Sequence, residues 1–315
     1  MTTIYLLSPE TIEEKNDLVT LMNVNEKQYI LYKKSRIVKS RYLNKILEIF
    51  SFIKFVLSLK KRHQDIRIIG APCLRNRVGS IILNIPIVYY LRCLHPNPEH
   101  LSSVSDKIDF LFKNIGLNNK FTNNYKADMH IITSPVTHNF LKVRKANQSV
   151  LDIGPIWLRD IELKSNGKRR VFFITQSFKE HHLAEAQLAQ VEIIRKLTEL
   201  LARERIELIL KVHPRDTDMY TGYSTFNGDA LDLLNNVTNN DVIISAFSTL
   251  AFELDSIGAN VKFVSYNGIA QLYEPLYQRY NIKFTKLADD NDISFLNDEK
   301  VNYHIFSPIN TKFPR

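Results

Sequence analysis

Short apolar runs of four to seven residues recur along this chain, separated by segments of helix length, and that alternation restricts its fold more than any other feature. Thr3–Leu7, Gln28–Tyr32, Ile66–Ile69 and Ile85–Leu91 have strand character. Glu10–Met22 and Tyr42–Lys61 are patterned as helices, so the first half reads as β-α-β with parallel strands buried on both faces. Over Val150–Gly167 the texture changes to turn formers and charge (Asp152-Ile-Gly-Pro-Ile-Trp, then Lys164-Ser-Asn-Gly-Lys-Arg-Arg), which places a linker there. A strand at Val171–Thr175 follows, then an amphipathic helix over Leu183–Arg203 with its apolar stripe near Leu188, Val191, Ile194, Leu197 and Leu201. Glu207–Val212, Val242–Ser245 and Val261–Ser265 supply further strands, so the second half is β-α-β as well. The expected organisation is α/β: one domain over residues 1–155, a second over 168–290, and a C-terminal tail over 291–315.

A chain of 315 residues is long for one domain and comfortable for two, and 44% hydrophobic with 24% charged residues excludes disorder as the default. The net charge of +9 favours anionic partners such as phosphorylated substrates or acidic membranes, or else reflects a solvated basic surface. Nucleic acid is not expected, because zinc-finger spacing, an aromatic RNP-like segment and repeats are all missing. Two cysteines, Cys73 and Cys93, make no disulfide framework and point to a reducing cytosol. The first residues lack the basic start and apolar core of a signal peptide. Leu47–Leu59, interrupted by Glu48 and Lys54, falls short of the roughly 20 residues of a membrane span. With Lys60, Lys61 and Arg62 behind it, it reads either as a packed helix or as a segment resting on an anionic membrane. A cytoplasmic protein is expected, with peripheral contact at the inner face of the plasma membrane as the open alternative.

The chemistry concentrates at two strand ends. In Lys211-Val-His-Pro-Arg, Pro214 removes a backbone donor and holds His213 extended, stopping the strand and aiming the imidazole outward. A protonatable ring flanked by Lys211 and Arg215 can neutralise a phosphate as it becomes a leaving group. Ser248 and Thr249 follow 35 residues later, room for one crossover, just before Leu250-Ala-Phe-Glu. Hydroxyls and free amides at such a helix start form an anion site, although Ser248 can also be a plain N-cap. Glu253 either accepts hydrogen bonds from a ribose or simply complements the helix dipole. His95-Pro96 follows an apolar run too but lacks a hydroxyl pair downstream, and reads as structural or surface. In the loop after the Val171 strand, Gln176 and Glu180 join His181 and His182, and Glu180 is the first candidate for the base, with Glu185 and Asp152 in reserve. There is no H-E-x-x-H, and Asp216-Thr-Asp218 matches a metal motif only by letters, so metal-independent chemistry is expected. Ile68-Ile-Gly-Ala-Pro-Cys and Arg75-Asn-Arg-Val-Gly read either as a cleft-facing segment or as a turn with surface arginines.

Val171-Phe-Phe-Ile-Thr-Gln-Ser-Phe-Lys-Glu, Leu210-Lys-Val-His-Pro-Arg and Ile244-Ser-Ala-Phe-Ser-Thr-Leu-Ala-Phe-Glu resemble, in order, segments of bacterial sialyltransferases of glycosyltransferase family 52 and the related capsular polysialyltransferases. The resemblance covers roughly Val171–Tyr266. It implies a GT-B fold, two Rossmann-like domains with parallel sheets facing across a cleft, and an inverting transfer of sialic acid from CMP-sialic acid to a hydroxyl of a glycan or glycolipid acceptor (lipooligosaccharide, O-antigen or capsule). No cofactor beyond the donor is implied. His213 and Pro214 would take the family's His-Pro role at the CMP phosphate, Ser248 and Thr249 that of its serine pair, and Glu180 that of its acidic base. Thr175-Gln176-Ser177 departs from the family's Gly-Gln-Pro, His181 stands where a second acid is common, and Thr249 replaces the second serine while keeping a hydroxyl.

The same Lys-x-His-Pro with a hydroxyl pair also resembles CDP-glycerol glycerophosphotransferases, although Ala246-Phe247-Ser248-Thr249 lacks their usual Asp. CMP-Kdo is a further donor of the same chemistry. A non-catalytic membrane-associated scaffold is the alternative outside enzymes, supported by the basic balance and Leu47–Leu59 and opposed by the combination of Glu180, His213 and Ser248.

Overall fold

Every residue of Ile4–Ser8 and of Ile87–Leu91 is buried, which a strand achieves only in a sheet covered on both faces. The computed structural model describes residues 3–9, 11–33, 41–92, 127–137, 149–165, 167–178, 183–216, 220–287 and 293–310. These fall into two units, one holding the described residues up to Arg159 together with 307–310, the other holding 160–306.

In the first unit, β1 (Ile4–Ser8), α1 (Ile12–Val24), β2 (Tyr29–Leu31), α2 (Arg41–Lys60), β3 (Ile66–Gly70), α3 (Leu74–Leu83), β4 (Ile87–Leu91), β5 (Met129–Ile132) and β6 (Ser149–Asp152) build a parallel six-stranded sheet in the order β2-β1-β3-β4-β5-β6. Successive strand residues point to opposite faces, and two cores result. Tyr5, Leu7, Ile69, Val88 and Tyr90 meet Leu18, Leu21 and Met22 of α1. Leu6, Ile66, Ile68, Ile87 and Tyr89 meet Phe52, Val56 and Leu59 of α2. Thr11 starts α1 by accepting the Glu14 amide at 3.1 Å, with Glu13 and Glu14 complementing the helix dipole.

The stretch around Arg75 is neither a turn nor a surface: it opens α3, and Arg75 is 3% exposed, paired with Glu48 of α2 and within 3.5 Å of the Ser8 and Pro9 carbonyls. A charge can be buried there because it is both paired and hydrogen-bonded. Gly79 lets α2 and α3 approach, since a Cβ at that position would lie 2.6 Å from the Phe52 ring. The expected linker begins inside this unit, for Ser149–Asp152 is the edge strand β6, and Ile153, Ile156 and Leu158 after it are buried.

The second unit comprises β7 (Val171–Ile174), α4 (Ala184–Arg203), β8 (Leu208–Lys211), β9 (Ser224–Thr225), α5 (Ala230–Asn236), β10 (Val242–Ser245), α6 (Thr249–Ser256), β11 (Asn260–Ser265), α7 (Gly268–Arg279) and β12 (Phe284–Lys286). Its sheet is again parallel, in the order β12-β11-β10-β7-β8-β9. Fully buried Asp241 fixes the amino ends of β7 and β10, accepting from the Arg170 amide, Nε and Nη2 at 3.0, 3.0 and 2.7 Å and from the Thr238 amide at 2.8 Å.

Helix α4 runs as expected and buries Ile194, Leu197 and Leu201 of the expected stripe, but its first turns present a different face. Leu188 is 72% and Val191 40% exposed, whereas Ala186, Gln187, Ala189, Gln190, Ile193, Ile194, Leu197 and Leu201 face inward. The reason is position: the first turns of α4 lie against loop backbone at the carboxyl edge of the sheet, which needs hydrogen-bonding partners rather than apolar cover.

The described part of the 291–315 stretch is packed. Phe295 and Leu296 enter the second core, Lys262 Nζ donates to the Asp298 carbonyl at 2.8 Å, and the Tyr303 amide donates to Asp255 Oδ2 at 2.9 Å. From Ser307 the chain bonds to the first unit, through Ser307 N to Thr133 O at 3.2 Å and Asn310 N to Ile153 O at 2.9 Å. No described helix is long and apolar enough to cross a membrane.

Asp255 lies fully buried in α6 with Oδ1 making no hydrogen bond among the described residues, and burial pushes its pKa up to about 6 against the pull of the Tyr303 amide, His304 and Lys300. A folded-state pKa raised above the unfolded 3.8 means that the ionised form costs stability, with the cost growing between about pH 4 and 6 and level above. Asp255→Asn is therefore expected to stabilise the protein by about 1–3 kcal/mol at pH 8 and to leave it unchanged near the unfolded-state pKa, as urea unfolding at the two pH values would read.

Candidate functional site

Three neighbouring strands, β10, β7 and β8, end side by side, with Ser245 opposite Ile174 and Ile174 opposite Lys211. Parallel pairing puts the residues that follow them, Ala246–Ser248, Thr175–Gln176 and Val212–His213, on one edge of the sheet. Strand spacing of about 4.8 Å separates the ends of β8 and β10 by roughly 10 Å. Side chains from both can therefore converge over the β7 turn.

The β7 turn binds its neighbours on both sides. The Thr175 amide donates to the Lys211 carbonyl at 3.1 Å, carrying the β7–β8 ladder one residue past the strand, and buried Thr175 Oγ1 accepts from the His213 amide at 2.9 Å. On the other flank, Gln176 Nε2 donates to the Phe247 carbonyl. The turn itself is gripped from below by Gln190 of α4, whose Oε1 accepts from the Gln176 amide at 2.7 Å and whose Nε2 donates to the Gln176 carbonyl at 3.1 Å. Gln190 Nε2 also lies 3.2 Å from Tyr220 Oη and 3.4 Å from Asp216 Oδ2, Tyr220 donates to Asp216 at 2.6 Å, and Gln187 reaches Asp216 Oδ1 at 3.4 Å.

His213 sits in a tight turn closed by Asp216 N to His213 O at 2.8 Å. Its Nδ1 accepts the Arg215 amide at 3.1 Å. Because an accepting Nδ1 carries no proton, the neutral ring holds its proton on Nε2 and is a donor there. The ring is half-buried, while Pro214 and Arg215 are exposed.

Beyond β10, Ser248 is the N-cap of α6 and 5% exposed, yet its hydroxyl makes no capping bond. The first backbone bond of the helix runs from Phe252 N to Ser248 O, so the amides of Thr249, Leu250 and Ala251 have no acceptor among the described residues. Ser245 Oγ, fully buried at the end of β10, is likewise unpartnered among the described residues. Phe247 is held by stacking on Tyr273 at 4.7 Å and edge-on to Phe252 at 5.1 Å, which fixes the turn ahead of the helix. Half-buried Thr249 begins the helix, and Glu253 lies one turn in, 3% exposed. A helix start with free amides and an uncommitted hydroxyl attracts an anion.

His213, Gln176, Ser248 and Thr249 thus share one edge of the sheet. Lys211 is on that edge by its backbone, but its side chain is 6% exposed and feels Asp229 and Asp232 at the start of α5, with burial lowering its pKa against their pull. Glu180, His181, His182 and His95 lie outside the described residues. Of the reserves for the base, Glu185 is exposed in the first turn of α4, and Asp152, in the first unit, holds the Gly154 amide at 3.2 Å and the Ser307 hydroxyl. Among the described residues no group of His, Cys, Asp and Glu is arranged to hold a metal ion. Sequence reasoning missed Gln190, Gln187 and Tyr220 and noticed Thr175 only as a departure. The available signal was the pair of glutamines three residues apart on the face of α4 that also carries Ala186, Ala189 and Ile193.

Gln190→Leu leaves the amide and carbonyl of Gln176 unsatisfied and should cost on the order of 2 kcal/mol, measurable by urea unfolding. Val191→Leu, at an exposed position of the same helix, should be neutral within about 0.5 kcal/mol.

No family model matches the sequence, and no curated protein matches it either. Solved structures do match it in fold. UDP-GlcNAc 2-epimerase of Methanocaldococcus jannaschii, solved with UDP-GlcNAc and UDP, superposes with a TM-score of 0.54 at 7% identity over 98% of this chain and 96% of that one. A UDP-glucosyltransferase from Polygonum tinctorium gives 0.55 at 10% identity over 93% and 86%. UDP-GlcNAc 2-epimerase of Neisseria meningitidis, bound to UDP-GlcNAc, gives 0.53 at 10% identity over 91% and 87%. With its two parallel six-stranded sheets, the chain has the GT-B fold that these enzymes share.

Proposed function

We propose that the protein is a glycosyltransferase that takes its sugar from a nucleotide-activated donor, and that the donor is CMP-sialic acid. The observation carrying this reading is the α6 start, with three amides and the Ser248 hydroxyl uncommitted among the described residues, on the same sheet edge as His213 with its Nε2 proton. Neighbours of the same fold bind UDP or a UDP-sugar, which supports a nucleotide phosphate at this edge. The CMP assignment rests on the resemblance of Val171–Tyr266 to sialyltransferases.

In this reading the acceptor hydroxyl oxygen attacks the anomeric carbon of the sugar from the face opposite the leaving group. The bond from that carbon to the phosphate oxygen breaks, and CMP departs with the electron pair. Negative charge growing on the phosphate is met by the α6 amides, Ser248, Thr249 and the Nε2–H of His213, groups positioned before the reaction begins. Gln176 and Thr175 hold the two anion-binding turns at a fixed separation. Glu253 receives the ribose hydroxyls, and Arg215 adds positive potential. Glu180 removes the proton from the acceptor, a hydroxyl of a bacterial surface glycan, and no metal ion is required.

The protein should release CMP from CMP-sialic acid in EDTA, faster with a glycan acceptor. His213→Ala should lower turnover on the order of 100-fold or more. Nucleotide release only from CDP-glycerol, CMP-Kdo or a UDP-sugar would replace the donor. Epimerisation of UDP-GlcNAc would replace the reaction class, and inertness toward every donor would leave the scaffold. His213→Ala at parental rates would remove His213 from the mechanism.

A further inference from the structure

Helix α2 carries two apolar faces, and the sheet uses one of them. Phe52, Val56 and Leu59 are buried against β1, β3 and β4. At 3.6 residues per turn, Ile46, Phe50, Ile53 and Leu57 fall on a second stripe about 60° wide that points away from the first. Ile46 is 52%, Phe50 66% and Leu57 46% exposed, with Ile53 half-buried between them. Lys60 Nζ donates to the Leu83 carbonyl at 2.9 Å, so α2 and α3 end together, and there α3 adds Ile81 and Ile82, 56% and 60% exposed. Large apolar side chains clustered in this way mark an interaction surface, whereas scattered ones do not.

Charge identifies what that surface meets. Residues 33–64 contain ten Lys and Arg and one acid, a net of +9, and the rest of the chain contains 32 basic and 32 acidic residues. The whole excess charge of the protein therefore belongs to the sequence of α2 and its flanks. The one acid, Glu48, is buried and paired with Arg75, so it offers nothing at the surface. Exposed Lys54 and Lys61 lie on one side of the apolar stripe and exposed Lys60 on the other, with exposed Arg62 just beyond. A bare apolar patch would suit a second copy of the chain. An apolar stripe edged by cations suits a sheet of anionic headgroups above hydrocarbon, where the ring and alkyl groups enter the boundary and the ammonium groups stay with the phosphates.

We propose that the exposed stripe of α2, with the end of α3, docks this protein peripherally on an anionic phospholipid bilayer. The proposal is independent of the donor and of the transfer reaction. Its test is co-sedimentation of the full chain with vesicles of phosphatidylcholine, or of phosphatidylcholine mixed with phosphatidylglycerol, at low and high salt. Binding is expected only to the mixed vesicles, and weaker at high salt. It should fall roughly fivefold for each of Lys54→Gln, Lys61→Gln and Arg62→Gln, and by on the order of 10-fold or more in Phe50→Ser combined with Leu57→Ser. These positions are exposed, so far-UV circular dichroism should match the parent. Absence of binding to mixed vesicles at low salt, equal binding to both kinds, or undiminished binding by the double serine variant would each overturn the proposal. So would a parental dimer that the serine variant converts to monomer, since the stripe would then belong to a second copy of the chain.

Discussion

In-register parallel pairing of β10, β7 and β8 is the constraint on which the candidate site depends. Three loops distant in sequence become neighbours only because their strands end at the same level. Asp241 sets that level from below by gathering the Arg170 side chain and amide with the Thr238 amide. Thr175 and Gln176 set it from above by bonding to the loops on either side. A slip of one residue would turn every side chain of a strand to the opposite face, moving His213 away from the α6 start and exposing the core that α4 covers.

At the candidate site the buried polar groups divide into two sets. Around Gln190 the backbone of the β7 turn, the Asp216 carboxylate and the Tyr220 hydroxyl all find partners, so the floor of the site is a closed network. On the rim the opposite holds: among the described residues Ser245 Oγ, the Ser248 hydroxyl and the first amides of α6 are left open. Buried polar groups without partners are costly, and a bound phosphate would convert that cost into binding. A rigid floor beneath an unsatisfied rim is what a binding site formed before its ligand arrives would require.

Much of the fold was legible in the sequence. Runs such as Ile87–Leu91 and Val242–Ser245 could be buried only in a parallel sheet, and His213 with Ser248 could be placed at strand ends from Pro214 and the crossover length. Shorter or more polar elements were not legible. β9 has two residues and β6 reads Ser-Val-Leu-Asp, so neither carries a hydropathy signal; both exist because a neighbouring strand offers them a ladder. α3 hid behind Arg75 and Arg77, since nothing local shows that Glu48 and two carbonyls wait to receive a guanidinium.

The sequence by itself determined the class of the fold and put His213 and Ser248 just past strand ends, because strand burial and proline geometry are properties of short stretches. Only the tertiary structure decided which polar groups are committed and which are open. Gln190 became the floor of the site rather than a gap in an apolar stripe, Thr175 became the anchor of His213, and the Lys211 side chain was buried instead of exposed at the strand edge. Hydrogen bonds between residues 14 and 38 positions apart make the first two assignments and burial makes the third, and no periodicity along the chain encodes them.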